Sequence, residues 1–341
     1  MININDQTIE QVKSLINKAE KISIIGHHNP DGDAISGSLG IAGILKQLGK
    51  QPHVIMPSKI PNFLKFIPGT DNIIIHNEDK KAQQLLAEAE LIFCIDFNSA
   101  SRVKALEKDL ETAPAKKILL DHHPDPKNFA DFSISETTSS SASEIVFDFI
   151  KMAGYTKHLT KDIATALYTG IMTDTLHFSI ETAGKQTFKA ISELLDFNID
   201  KDYIYNKVYN TYSWNRLKLV GYLQNKKMKR IKNHPVAYTI LTETEKEQFN
   251  YQRDDHEGVV NIPLSAENIE VSVLFIESED EIRVSMRSKG AFNVNKFARR
   301  FFNGGGHDRA AGGRLQIEIE EIPTYFKKAL DSFSKSSTQQ I

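Results

Sequence analysis

From about residue 22 to residue 121, short apolar runs alternate with stretches of helical periodicity. The runs at 22–26, 73–75, 91–95 and 118–120 predict strands, and the stretches at 34–48 and near 80–89 predict helices. The strands are almost continuously apolar instead of alternating, the pattern of a parallel sheet buried on both faces. Two more helices are predicted at 140–153 and 161–173, the first stopped by Gly154 and the second capped by Thr160. The expected fold class is α/β, a parallel sheet with helices on both faces.

After Phe197 the texture changes to a polar, tyrosine-bearing helical stretch at 200–225, which suits a linker or, equally, a surface that packs on a partner copy in a homodimer. Beyond it, strands are predicted at 236–241, 271–276, 282–286 and 314–319 and helices at 294–302 and 322–333, a second and smaller α/β domain. The boundaries read as a first domain over 1–197, a helical linker over 198–228, a second domain over 229–334 and a disordered Ser/Gln-rich tail over 335–341.

Composition narrows the function. With 341 residues, 40% of them hydrophobic, the chain can bury two cores. A net charge of -2 lacks the basic excess by which long nucleic acids are held, so a small or short anionic ligand fits better. The run from Lys226 to Lys232 is the densest basic stretch and reads as a solvated face. No amino-terminal leader and no bilayer-length apolar run is visible, which points to a cytoplasmic protein without membrane contact. Cys94, the single cysteine, lies in an apolar strand and reads as core.

Candidate chemistry clusters at strand ends. His27, Asp31 and Asp33 follow the first predicted strand, where open parallel sheets bind ligands, and Pro30 and Gly32 allow a tight turn there. The bland alternative is a turn whose aspartates cap the next helix. Three further sites weigh against it: Asp96 after 91–95, Asp121-His122-His123 after 118–120, and Asp174 at the end of the 161–173 helix. Of 11 histidines, four fall in the doublets His27-His28 and His122-His123, both directly after predicted strands. Carboxylates with imidazoles suit hard divalent cations, Mn²⁺ before Mg²⁺, and the near absence of cysteine disfavours a structural zinc cluster. Four or five aspartates and two or three histidines suffice for two ions roughly 3.5–4 Å apart with one bridging carboxylate, a centre suited to activating water against a phosphoester.

These residues, in this order, resemble the four motifs of the DHH phosphoesterase superfamily. Gly304-Gly305-Gly306-His307-x-Arg309-Ala-Ala-Gly-Gly313, with Arg287-Ser288 in the preceding strand, resembles the glycine-rich motif of the associated DHHA1 domain. Together the motifs cover nearly the whole chain and are similar to the bacterial nano-RNase and pAp-phosphatase subfamily. The resemblance implies that His27, Asp31 and Asp96 hold one Mn²⁺, and that Asp33, Asp96, His122 and Asp174 hold the other, with Asp96 as the bridge. It also implies a substrate-phosphate contact or proton donor in His123 and an orienting role for Asp121; His28 receives no role.

Read without the family, three successive glycines expose backbone N–H groups to an anion, and His307, Arg309 and Arg287 can add charge-assisted hydrogen bonds to phosphate. A flexible turn is the plain alternative. The expected activity, by resemblance, is hydrolysis of short oligoribonucleotides and of 3'-phosphoadenosine 5'-phosphate to AMP. The competing readings are a linear or cyclic dinucleotide phosphodiesterase, acting on pApA or cyclic di-AMP, and a nucleotide-binding sensor without catalysis.

Overall fold

In the computed structural model, which describes residues 5–76, 80–180, 182–252 and 255–337 (side chains to 334), the apolar runs become neighbouring strands. The chain divides into two units, one ending at Thr211 and the other starting at Tyr212.

The first unit contains α1 (Asp6–Lys18), β1 (Lys21–Ile25), α2 (Gly32–Gln47), β2 (Gln51–Met56), β3 (Ile74–Ile75), α3 (Lys81–Ala87), β4 (Leu91–Ile95), α4 (Glu107–Thr112), β5 (Lys116–Asp121), β6 (Phe132–Ser135), α5 (Ala142–Met152), α6 (Lys161–Asp174), α7 (Lys185–Leu195) and α8 (Lys201–Tyr209). Its sheet runs β3-β2-β1-β4-β5-β6, and all five pairings are parallel. Alternate residues of β4 and β5 enter two separate cores. Phe93, Ile95, Ile118 and Leu120 pack with α1, α2, α5 and α6, whereas Ile92, Cys94 and Leu119 pack with Ala82 and Leu86 of α3 and Leu110 of α4. This is the doubly covered parallel sheet expected. Chain order reverses between β1 and β4, and that reversal opens a crevice at the carboxyl ends of these two strands.

Besides the short α4, four elements of the first unit lay outside the predicted pattern. β2 begins Gln-Pro-His, and a proline with polar neighbours argues against a strand even though Val54 to Met56 are buried. β6 is a four-residue edge strand with one buried position. The helices α1 and α7 bury only narrow stripes, Ile9, Val12 and Ile16 in the first and Thr187, Ala190, Ile191 and Leu194 in the second.

The second unit contains α9 (Trp214–Tyr222), β7 (Lys229–Arg230), β8 (Val236–Leu241), α10 (Glu243–Gln248), β9 (Val271–Ser278), β10 (Glu281–Ser288), α11 (Val294–Phe301), β11 (Gly305–Gly306), β12 (Ala310–Leu315) and α12 (Ile322–Ser337). Its mixed sheet runs β11-β12-β10-β9-β8-β7 around a core built on Phe275, Phe297, Phe302 and Phe326. The single helix expected at 200–225 is two helices. The chain breaks at Asn210 to Ser213, where Ser213 caps α9, so α8 belongs to the first unit and α9 to the second. The expected tail is helical as far as Ser337, and the remainder of that expectation, 338–341, lies outside the described residues.

The strand expected at 314–319 is instead β12, shifted back to Ala310, so that it runs through Gly312 and Gly313. Glycine weakens a strand unless another backbone must come close, and here one does. A Cβ on Gly304 would sit 1.9 Å from the Gly312 carbonyl oxygen, and one on Gly313 would sit 2.4 Å from that of Phe302. These glycines let β12 pack against β11 and the end of α11, where Arg314 N donates to Phe302 O at 2.6 Å. Gly304→Ala and Gly313→Ala should therefore each destabilise the second unit by roughly 1–3 kcal/mol, as overpacking does. Urea unfolding checks this, and an unchanged midpoint would contradict the packing account.

Candidate metal centre

His27 lies just beyond β1 and is buried. Its Nδ1 is 3.0 Å from the His28 carbonyl, so this nitrogen carries the proton and donates. Nε2 faces Asp31 Oδ2 at 3.6 Å and Asp96 Oδ2 at 3.5 Å, and it presents a lone pair there once it gives up its proton. His28, which had no assigned role, anchors this ring through its carbonyl, and its own N–H donates to Arg102 O. Asp31 caps α2 with one oxygen, accepting from Asp33 N and Ala34 N, and turns the other toward His27. The capping reading and the ligand reading each hold for one oxygen.

Asp96 extends β4 by one residue, with its N–H donating to Leu120 O, and its backbone takes a left-handed φ of +65°. Non-glycine residues in this region are uncommon and persist where the surroundings impose them. The turn aims the buried carboxylate two ways. While Oδ2 faces His27, Oδ1 is 3.5 Å from His122 Nε2 and 3.5 Å from His123 Nδ1. Among the described residues no hydrogen-bond donor satisfies Oδ1.

Asp33 and Asp174 complete a second group around His122 Nε2, at 4.0 and 3.6 Å. Asp174 ends α6, and Asp33 lies in the first turn of α2. Gly32 brings these two helix ends together, since a Cβ there would lie 2.2 Å from Thr173 Oγ1. The Asp33 carboxylate accepts from Ala142 N at 2.6 Å and Ser143 N at 2.8 Å. Those donors, the first N–H groups of α5, were missed in sequence; the Ser-rich stretch at 139–143 with Glu144 three residues after Ser141 is the capping pattern that marks them.

His123 makes a different connection. Its Nδ1 is 2.8 Å from Asp121 Oδ1, so Nδ1 donates to the fully buried carboxylate of Asp121, and only Nε2 can exchange a proton elsewhere.

Spacing and charge together define what this cluster can hold. Contacts of 3.5–4.0 Å between these nitrogen and oxygen atoms are long for hydrogen bonds. Two donors each about 2.1 Å from one ion lie roughly 3.0–3.4 Å apart at octahedral to tetrahedral angles, so a small contraction suits a cation. Among the described residues three such groups occur: His27-Asp31-Asp96, Asp33-His122-Asp174 and Asp96-His122-His123. The third shares Asp96 and His122 with the others, and its His123 Nδ1 is committed to Asp121.

Protonation follows the same crowding. Burial pushes the Asp33 carboxyl well above the usual carboxylate range, and the charges of Asp96 and Asp174 push it the same way. Burial, with Asp96 and Asp31 nearby, pushes Asp174 up to about 7 against the opposing pull of His122. Burial would raise Asp96 too, but its contacts to His122 and His27 hold it far below the ordinary range. Burial would lower His27, yet Asp31 and Asp96 push it up to about 10. A surplus of buried carboxylates thus draws positive charge from any source.

The residues expected to bind phosphate all lie in the second unit. His307 and Ala310 close a two-residue hairpin connection through Asp308 and Arg309, with His307 N donating to Ala310 O at 2.8 Å. Ser288 N donates to Arg309 O and so braces the hairpin, while its buried hydroxyl donates to Phe292 O at 2.7 Å in the segment before α11. Arg287 lies on β10 and donates from Nη1 to Met286 O. Gly305 and Gly306 form β11, where Gly306 N donates to Asn295 Oδ1 and Gly305 pairs with Gly312. The glycines therefore serve strand packing, a role that a loop reading did not include.

Comparison with known proteins follows from this geometry. Residues 21–171 match the profile described as DHH family, N-terminal domain, and residues 233–335 match that of the DHHA1 domain. An exopolyphosphatase-related protein from Bacteroides fragilis is 40% identical, with a TM-score of 0.94 and 97% of each chain covered. The chain belongs to the DHH family. It is also 26% identical to the Bacillus subtilis bifunctional oligoribonuclease and PAP phosphatase NrnA, over 85% of this chain and 87% of that protein. A third relative, the cyclic-di-AMP phosphodiesterase PdeA of Listeria monocytogenes, is 26% identical over 96% of this chain but only 50% of its own length. This DHH phosphoesterase is metal-dependent by family, and among its described residues no helix is long and apolar enough to cross a membrane.

Cation binding must displace the protons that Asp174, Asp33, His27 and His122 retain. Because Asp174 is pushed up to about 7, affinity should fall as pH drops from about 8 to about 6, by up to roughly tenfold per unit for each proton released. Calorimetry in buffers of different ionisation enthalpy counts those protons, and Asp174→Asn should lower the count and make the dependence shallower. A pH-independent affinity in the unaltered chain would contradict it.

Proposed function

We propose that this chain hydrolyses short oligoribonucleotides and 3'-phosphoadenosine 5'-phosphate, the latter to AMP and phosphate, with two Mn²⁺ ions as cofactors. The observation that carries the two-ion reading is the divided carboxylate of Asp96, whose Oδ2 faces His27 and whose Oδ1 faces His122. His27, Asp31 and Asp96 would hold one ion, and Asp33, Asp96, His122 and Asp174 the other. Mixed imidazole and carboxylate donors favour Mn²⁺ over Mg²⁺. Such a pair, when bound, supplies water activation and neutralises charge on the phosphoryl oxygens.

The remaining groups act on the substrate. Asp121 holds the His123 ring through Nδ1, which leaves Nε2 to donate a proton to the departing oxygen as the P–O bond breaks. In the second unit, the backbone at Gly304 to Gly306 with His307, Arg309 and Arg287 is proposed to take a substrate phosphate, and Ser288 to brace that loop. The substrate class rests on the near full-length likeness to an oligoribonuclease and PAP phosphatase, and on a net charge too small for long polymers. Such substrates suit a cytoplasmic enzyme.

Purified protein with Mn²⁺ should release phosphate from 3'-phosphoadenosine 5'-phosphate and mononucleotides from oligomers of about two to five units. Loss of His123 should lower kcat by roughly 10²–10⁴ with little change in KM, the usual worth of a general acid. If the unaltered chain turns over neither substrate faster than Asp96→Ala does, the proposal fails. Likeness to a cyclic-di-AMP phosphodiesterase over 96% of this chain supports a second reading. Faster turnover of cyclic di-AMP or pApA than of both proposed substrates would favour it.

A further inference from the structure

Glu144 is a buried carboxylate that the proposed chemistry does not use. It is 3% exposed, and among the described residues it makes no ion pair. Its Oε2 instead collects three donors: Ser140 N at 3.1 Å, Ser140 Oγ at 2.5 Å and Thr187 Oγ1 at 2.9 Å. Its own N–H donates to Ser141 Oγ, the cap of α5. The spacing Ser141-x-x-Glu144 is that of a capping box, in which the glutamate would reach back to the cap's own N–H. Here the side chain passes the cap and ties the preceding residue to α7.

What this knot holds is the start of α5, and the next two N–H groups, from Ala142 and Ser143, are those clasping Asp33. Ser143 is also wedged against α6, because a Cβ on Gly170 would lie 2.0 Å from Ser143 Oγ. Gly170 is four residues before Asp174, and Thr187 lies in the helix that follows the Asp174 loop. One carboxylate oxygen therefore joins the backbone that orients Asp33 to the helix after Asp174, and Ser143 seats the same turn against the helix that ends at Asp174.

We propose that Glu144 is a positioning residue for the metal centre, fixing the α5 amino terminus so that Ala142 N and Ser143 N hold Asp33 in ligating orientation. An ionised carboxylate suits this task since one oxygen can accept several donors, whereas a glutamine has only its carbonyl and must place two N–H protons in a buried site. Thr187 contributes through its hydroxyl alone. The inference rests on the two-ion reading but not on the substrate.

The test compares the full chain with Glu144→Gln, Thr187→Val and Thr187→Ser. Mn²⁺ binding is measured by calorimetry, with thermal melting in chelator as the fold control. Glu144→Gln should weaken one of the two Mn²⁺ binding steps, that of the ion held by Asp33, by about 10–100-fold, the usual cost of losing a group that orients ligands. Thr187→Val should weaken it several-fold, and Thr187→Ser should restore it. If Glu144→Gln unfolds, the two threonine variants decide the matter. Unchanged Mn²⁺ affinity in a folded Glu144→Gln or Thr187→Val, or Thr187→Ser binding as weakly as Thr187→Val, would overturn the proposal. A wild-type chain that binds no Mn²⁺ overturns it together with the two-ion reading, whereas one that binds Mn²⁺ but hydrolyses no nucleotide overturns the substrate reading alone.

Discussion

The structure of the first unit turns on one electrostatic constraint, which is that several carboxylates share a site where each lowers the stability of the others' charge. Asp96 is at its centre, buried at the end of β4 beside the point where strand order reverses. Burial removes the water that would otherwise screen these groups, so the site must take up positive charge, whether as protons on Asp174 and the histidines or as divalent cations. Protons satisfy the charge without the geometry. The separation of the two Asp96 oxygens toward two different imidazoles is a geometry that could hold cations.

Holding such a cluster together needs devices that work against repulsion. A left-handed backbone turns the Asp96 side chain back across the strand ends. The amino terminus of α5 offers N–H groups and the positive end of its dipole to Asp33. The close seat of Gly32 on Thr173 brings Asp31 and Asp33 to the end of α6 where Asp174 lies. Histidine orientation is handled separately, by the His28 carbonyl for His27 and by Asp121 for His123.

The second unit solves another problem with the same economy of backbone. Its glycine-rich segment reads as a flexible loop, yet Gly304, Gly312 and Gly313 allow two strands and a helix end to approach within the reach of a single missing Cβ. The hairpin so formed carries His307 and Arg309 at its turn, braced by Ser288 from β10. A motif expected to bind an anion is thus also the packing seam of the domain, and the two roles share residues.

Much of this was legible in the chain alone because it is local. Unbroken apolar runs announce a sheet covered on both faces, and aspartates and histidines directly after those runs mark the crevice where parallel strands end; all eight expected residues of the first unit do converge there. Where a signal was weak, as in the proline-bearing β2 or the short edge strand β6, pairing partners rather than propensity made the strand. Whether the helical stretch at 200–225 was one element depended on which core each half joined. The sequence by itself determined which residues could ligate, since that depends on chemical type and on position at a strand end. Only the tertiary structure decided how they are aimed: the two-way carboxylate of Asp96, the clasp of α5 on Asp33 and the knot at Glu144 join residues up to 110 positions apart, and orientation between such distant segments is set by packing.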